Sequence, residues 1–366
     1  MEVTDRWDNI SEHEIDNSWR DHQTPEYIEY RRNFELAQKR EYLSEFPLSV
    51  EIESSYHCNL ECPMCPRVVN IGERNSEHMS QELWQMILSE CKQHRLPSML
   101  MDHEAESLMN PRFFDMVEAA KYAGVFDVWL HTNANMLTPK RSARLISSGL
   151  TKINFSIDAT TTETYDIVRP GGDFKRVVEN VKAFLNTKLD MNAHYLRTRV
   201  SFVEMDINLA EKEDFFRFWS EQPGLNLITF QECIDFSPFE TPDADIVLSE
   251  AALQEKYSDS EPFHCSLPWE MPVIDVKGNV IPCGSPVREH TSDFILGNIL
   301  AGDTIASCWK SEQMSELRSL HERGEWYKNP MCRVCVNTLR GSRRTLVQAR
   351  ESKDPAEATV TISLPG

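Results

Sequence analysis

No stretch of the sequence reaches the ~20 consecutive apolar residues that a membrane span requires, which argues against a helical membrane protein. The acidic opening, MEVTDRWDNISEHEIDNSWRDHQ, lacks the apolar core of a secretory signal, so a cytoplasmic protein is expected. Basic residues are scarce. Lys and Arg number 38 against 58 Asp and Glu, a formal net charge of -20. Such a surface repels polyanions, and neither nucleic acid nor a membrane is expected as a partner. An acidic surface suits a cationic or neutral small substrate, although solvation alone also accounts for it. No glycine-rich strand-to-helix turn is present to cradle a phosphate: the glycine pair in RPGGDF (169–174) falls between two helical segments. What the chain does have is cysteine, ten in all. In a reducing compartment these stay thiols, so clustered ones read as metal ligands or catalytic groups before they read as disulfides.

The length of 366 residues suggests one large domain with a smaller one. Residues 1–45 read as a polar helical extension, with TPEYIEYRRNFELAQKREYL starting behind Thr24 and Pro25. From Pro47 a rhythm of short apolar strands and helices begins. The strands are LSVEIES (48–54), SMLMDH (98–103), FDVWLHT (126–132), KINFSID (152–158), RTRVSFV (197–203) and LNLITFQE (225–232). Between them, Asn110-Pro111 opens a helix that Gly124 closes, Thr138-Pro139 opens another that Gly149 closes, and FKRVVENVKAFLNTK forms a third. These units predict an α/β fold over residues 46–236, a partial (β/α)6 TIM-like barrel, with an open doubly wound sheet as the alternative. DFSPFETPDADIVLSE (235–250) reads as a linker opening a small α+β domain over residues 237–345. There, VIDVKGNVIPC (273–283) is expected as a hairpin turning at Lys277-Gly278, and DTIASCWKSEQMSELRSLHERG (303–324) as one amphipathic helix. The tail, 346–366, carries no clear signal.

The segment YHCNLECPMCPR (56–67) spaces three cysteines as Cys58-x3-Cys62-x2-Cys65, directly after the first barrel strand. Three thiolates hold three corners of a four-iron cluster and leave the fourth iron open to an outside ligand. A zinc site completed by His57 is the other reading, made awkward because His57 adjoins Cys58. A second set, Cys265, Cys283, Cys332 and Cys335, has the four thiols that close a cluster completely, or that close a zinc knuckle. Cys91 and Cys308 read as core thiols. Cys233, after the sixth strand, reads as core or as a hydrogen-atom donor at the barrel rim.

Cys58, Cys62 and Cys65 match the cysteine loop of the radical S-adenosylmethionine (SAM) enzymes, which the sequence resembles over residues 46 to 235, with Met64 where an aromatic residue is usual. The resemblance implies a SAM-binding [4Fe–4S] cluster, reductive cleavage of SAM to a 5′-deoxyadenosyl radical, and hydrogen abstraction from the substrate. AESLMNP (105–111) resembles the family's Gly-Glu-Pro segment and nominates Glu106 for the SAM amino group, although Ala105 and Ser107 replace the glycine and proline. HTNANML (131–137) resembles the Thr-Asn-Gly turn and nominates Asn133 near the adenosine. FSIDATTTETYDIVRPGG (155–172) resembles the Ser-x-Asp segment and nominates Ser156 for ribose or carboxylate. Arg199 is nominated to neutralise the SAM carboxylate.

The second cysteine set is similar to the SPASM region in its shortened twitch form, which implies one auxiliary [4Fe–4S] cluster. A closed auxiliary cluster implies an electron acceptor. The expected activity is therefore oxidation of a small carbohydrate- or aminocyclitol-like molecule, in the manner of a dehydrogenase, in a natural-product or surface-sugar pathway, with a reductase or flavodoxin-type electron donor. The alternatives are a redox-neutral sugar epimerase or dehydratase and a peptide-modifying SPASM maturase, for which residues 1–45 look too short to hold a leader-binding domain. A non-catalytic electron-transfer or zinc-stabilised binding protein is the remaining reading.

Overall fold

The computed structural model describes all residues except 1–3, 6–9, 68–76, 235–247, 258–262, 285–293 and 342–366. Most of the expected linker (235–250) and all of the tail (346–366) lie outside the described residues. Before the barrel come β1 (Thr4–Asp5), β2 (Ile10–Glu14) and α1 (Pro25–Gln38). The barrel runs β3 (Ser49–Ile52), α2 (Gln81–His94), β4 (Ser98–Leu100), α3 (Phe113–Tyr122), β5 (Asp127–Thr132), α4 (Pro139–Ser147), β6 (Lys152–Ser156), α5 (Thr162–Val168), α6 (Phe174–Asp190), β7 (Arg197–Glu204), α7 (Lys212–Ser220) and β8 (Leu227–Glu232). The smaller region adds α8 (Glu250–Tyr257), β9 (Phe263–His264), α9 (Leu267–Glu270), β10 (Val273–Ile274), β11 (Asn279–Ile281), β12 (Gly297–Asn298), α10 (Ile305–Trp309), α11 (Glu312–Glu322) and α12 (Pro330–Gly341).

Strands β3 to β8 are neighbours in chain order and all parallel. That is the barrel arrangement; an open doubly wound sheet would reverse its strand order. Thr138 caps α4 as read, accepting from the backbone N–H three residues on, and Ser80 and Asp173, which the sequence reading did not single out, cap α2 and α6 in the same way. Asn110-Pro111 does not open α3 directly: the helix starts at Phe113, and the Asn110 side chain accepts from Arg112 N–H (3.0 Å) in the turn before it. Gly124 and Gly149, at φ +101° and +91°, take the left-handed position just past α3 and α4. Apolar side chains of the strands and helices meet in one large core that includes Leu130, Phe155, Phe184 and Phe202, all fully buried.

Three expectations need correction. The first 45 residues are not simply helical: β2 pairs antiparallel with β8, Ile10 opposite Gln231 through Glu14 opposite Leu227, and extends the sheet past the last barrel strand. The smaller region is not set apart by its linker. Strand β10 lies parallel to β3, and the β10–β11 hairpin, turning at Gly278 with φ +85°, carries the sheet on to β12, so ten strands form one sheet. The helix read over 303–324 is two. It breaks after Trp309, where Ser311 takes extended backbone and its hydroxyl accepts from Met314 N–H, capping a new helix. Among the described residues no helix is long and apolar enough to cross a membrane.

Leu130 sits at the centre of the sheet with no exposed surface. Leu130→Ala is expected to lower stability by about 2–5 kcal/mol through lost burial and a cavity, read as a lower urea midpoint with an unchanged slope.

Candidate active site and cysteine-lined cavity

The carboxyl ends of the barrel strands surround a cavity of about 300 Å³. The cysteine loop after β3 forms one wall. Its backbone is tied down by bonds to distant segments: Glu61 N–H donates to the Pro170 carbonyl (3.1 Å) and Glu106 N–H to the His57 carbonyl (3.2 Å). The RPGG turn packs directly on the loop. At Gly171, φ +92°, an added Cβ would stand 3.0 Å from the Asn59 carbonyl oxygen, so glycine is required there for close approach rather than for phosphate.

Cys58, Cys62 and Cys65 all line the cavity. Burial raises all three thiols, Cys62 to about 11 and Cys65 to about 12. A buried trio of thiols gives up its protons readily only to metal. Among the described residues no three His, Cys, Asp or Glu side chains crowd tightly enough to hold a single metal ion. Zinc, with its ligands about 2.0–2.3 Å from one centre, would need that crowding. A multi-iron cluster takes each thiolate on a separate iron and so fits donors that share a wall without converging on a point.

Glu106 is buried in the same wall. Its carboxylate accepts from the Thr132 hydroxyl (2.8 Å), Asn133 N–H (2.7 Å) and Leu108 N–H (3.3 Å). Burial nonetheless lifts its carboxyl to about 7, because those donors only partly replace water. The Asn133 amide reaches across to Asn59 in the cysteine loop (2.9 Å), and Ser156 lines the cavity at the end of β6. Glu106, Asn133 and Ser156 thus come together as the motifs suggested.

Arg199 does not join them. It lies early in β7, bonded to the Asn154 amide oxygen (3.1 Å) and 3.3 Å from His131 Nε2, and lines a separate cavity of about 250 Å³ beside α1. The guanidinium that does face the cysteine cavity belongs to Arg169. Asp158 grips it through Nε (2.8 Å) and Nη2, and Arg169 Nη1 stands 3.7 Å from Cys62 Sγ. Asp158, at φ +63°, also accepts from Val203 N–H (2.7 Å). Arg169 stands in the VRPGG segment already singled out, but nothing in a sequence says which of two arginines faces inward. Cys233 is drawn into the main apolar core while its neighbours Gln231, Glu232 and Ile234 line the cavity. Its placement favours packing over hydrogen donation. Cys91 and Cys308 are core thiols too.

The wall also holds groups that the sequence reading missed. His131 accepts support from Asp102, whose carboxylate takes both its N–H (2.6 Å) and Nδ1 (2.9 Å). His103 lies between Glu51 (2.5 Å) and Glu104 (3.5 Å). Asp102, His103 and Glu104 share one sequence signal, the run DHEAE (102–106) after the second strand.

The second cysteine set gathers as well. Cys332 and Cys335 lie one turn apart on α12, where the Asn329 side chain accepts from Cys332 N–H (3.1 Å) at the helix start. Burial, with Cys283, Cys265 and Cys335 beside it, holds the Cys332 thiol well above its usual range. The loop carrying Cys283 touches the main cavity wall: at Gly284 an added Cβ would lie 3.0 Å from Glu51 Oε2 and 3.4 Å from His103 Cε1.

Residues 52–196 match the Radical SAM superfamily, and residues 265–336 match SPASM, an iron–sulfur cluster-binding domain. The chain belongs to the radical SAM superfamily, in its SPASM/twitch subgroup, and is an enzyme of that type. The family brings with it a [4Fe–4S] cluster and SAM, and the SPASM domain auxiliary iron–sulfur clusters. The chain is 27% identical to the mycofactocin maturase MftC of Mycobacterium ulcerans over 183 residues, 49% of this chain and 46% of that protein, so it spans about half the length of that relative. It is 24% identical to the PqqA peptide cyclase of Rhodopseudomonas palustris over 316 residues, 79% of each chain. Streptococcus suis SuiB, solved with its precursor peptide SuiA, superposes with a TM-score of 0.50 at 17% identity, over 81% of this chain and 72% of that one. That last likeness is one of fold alone.

Asp158→Ala would leave the Arg169 guanidinium buried with its carboxylate partner gone. The expected loss is about 3–5 kcal/mol in urea unfolding, well above that of an exposed pair.

Proposed function

We propose that this protein oxidises a small carbohydrate- or aminocyclitol-like molecule by two electrons: the first leaves with the abstracted hydrogen atom, a single auxiliary cluster takes the second, and a flavodoxin-type protein supplies the separate electron that cleaves SAM. The observation that carries this reading is the contact of Gly284, next to Cys283, with the Glu51 and His103 side chains, since His103 also lines the cavity. An electron acceptor held by that loop would stand against the wall of the reaction chamber. Bound there, the two clusters and SAM would supply the 5′-deoxyadenosyl radical and the acceptor.

The chain's own residues then divide the remaining work. Cys58, Cys62 and Cys65 hold the open cluster, and Cys265, Cys283, Cys332 and Cys335 the closed one. Glu106 receives the SAM ammonium and Asn133 stands near the adenosine. Arg169, in place of Arg199, neutralises the SAM carboxylate together with Ser156. Oxidising a C–H carbon that bears a hydroxyl or amine also releases a proton, and the Glu51–His103–Glu104 group is an acid–base set that lies against the Cys283 loop at Gly284. The carboxylates of Asp102, Glu104 and Glu232 along the wall favour a hydroxyl- or ammonium-bearing substrate over an apolar one. A peptide substrate is the second reading, favoured by the names of the mycofactocin maturase and the PqqA peptide cyclase.

Iron counted per chain after anaerobic reconstitution tests the cluster assignment. About eight irons are expected, falling to about four in the Cys58/Cys62/Cys65→Ala variant. About four falling to none would remove the acceptor and turn the reading toward epimerisation or dehydration. Release of 5′-deoxyadenosine in the presence of amino sugars but not of peptides would separate the two substrate readings.

The Glu106 carboxyl gives a pH test. Free protein keeps it largely protonated between about 4.5 and 7, whereas an ammonium ligand needs the carboxylate. SAM affinity, measured by equilibrium dialysis, should therefore rise as pH climbs to about 7 and level off above it. Glu106→Gln should weaken binding roughly 10- to 100-fold at pH 8, the loss of a charge-assisted bond of about 1.5–3 kcal/mol, and flatten that pH dependence.

A further inference from the structure

The auxiliary cysteines have one polar neighbour that no motif announces. His321, near the end of α11, is 2% exposed, and its Nε2 lies 3.3 Å from Cys332 Sγ. Its backbone is anchored too, because the His321 carbonyl accepts from Arg40 Nη1 (2.8 Å). Helices α11 and α12 thus bring an imidazole edge-on to one thiol, and the ring is held there by packing rather than by a mobile loop.

The chemistry of Cys332 sets the direction of that contact. A thiol gives up its proton when it binds iron, after which its sulfur can only accept. The ring nitrogen facing it must then be the one that carries hydrogen. A hydrogen bond to a ligand sulfur draws electron density from the metal and favours the reduced cluster, which carries one more electron. We infer that His321 donates Nε2–H to the Cys332 thiolate and raises the reduction potential of the auxiliary cluster above what four thiolates alone would give it.

This inference rests on the assignment of Cys265, Cys283, Cys332 and Cys335 as ligands of one cluster, and it gives that cluster a direction of use. A raised potential makes the cluster a better acceptor for an electron leaving a substrate and a weaker donor for cleaving SAM. His321 is a positioning residue in this scheme, acting through Cys332 and not on the substrate. The contact near the other cluster is longer, 3.7 Å from Arg169 Nη1 to Cys62 Sγ. The two cysteine sets are thereby tuned by different groups.

The test is a redox titration of the reconstituted holoenzyme, followed by electron paramagnetic resonance, with the Cys58/Cys62/Cys65→Ala protein used to assign the auxiliary signal. His321→Phe and the smaller His321→Leu each remove the donor, and either one that loads iron decides the question. Both should lower the auxiliary midpoint and leave the SAM-site midpoint in place. His321→Gln, which keeps an N–H near the sulfur, should recover part of the difference. An unchanged auxiliary midpoint in an iron-replete His321→Leu protein would overturn the inference while leaving the cluster assignment intact. Wild-type protein that binds only about four irons would instead sink the assignment itself, and the inference with it.

Discussion

The Glu106 carboxylate is where the working end of the barrel is fastened together. Its backbone N–H holds the cysteine loop through His57, and its side chain holds the end of β5 through Thr132 and Asn133. Three segments that the chain visits 26 to 49 residues apart therefore share one acid. A buried carboxylate is costly unless donors replace water, and here one hydroxyl and two backbone N–H groups do so incompletely. The resulting rise to about 7 leaves an acid that binds these donors well enough to order the wall, yet gains further from a cation brought to it. Organisation of the wall and readiness for an ammonium ligand come from the same residual deficit.

Much of this was legible in the sequence because the signals were local. Strand cores, the Thr138 cap, the Gly124 and Gly149 stops and the Gly278 turn are each decided within about four residues. The two cysteine sets were legible because ligand spacing is itself local. What failed was decided by packing across the chain. Whether Ile10–Glu14 is a strand depends on the open edge of β8, and β10 joins the main sheet only because β3 presents one. Arg169 and Arg199 are chemically the same. The first follows α5 at the rim, while the second is the third residue of β7, and only the register decides which reaches the cavity. His321 meets Cys332 through the packing of α11 on α12, which no spacing rule anticipates.

The cavity wall carries its charge in an uneven way. Asp158 is matched by Arg169, Asp102 by His131, and Glu51 and Glu104 by His103. Glu106 is matched by neutral donors alone among its hydrogen bonds. A ligand with an ammonium group and a carboxylate, as SAM has, finds Glu106 and Arg169 in one cavity. The acidity of the surface as a whole, which solvation explains, is thus a different matter from the acidity of this wall, where several carboxylates have a cationic or imidazole partner and Glu106 has neutral donors alone.

The joining of the smaller region to the sheet bears on how two cysteine sets can work together. Glu51 N–H donates to the Pro272 carbonyl (3.0 Å) and Glu53 N–H to the Ile274 carbonyl (2.9 Å), so β10 is stitched to the very strand that delivers Cys58. Nine residues after Ile274 the hairpin delivers Cys283. Electron transfer falls steeply with distance, so a pair of redox sites gains most from a separation that does not fluctuate. A linker of loop residues would let that separation drift, whereas a strand pair changes it only by breaking backbone bonds. The continuous sheet therefore does more than shelter the barrel edge: it makes the distance between the two cysteine sets a property of the sheet itself.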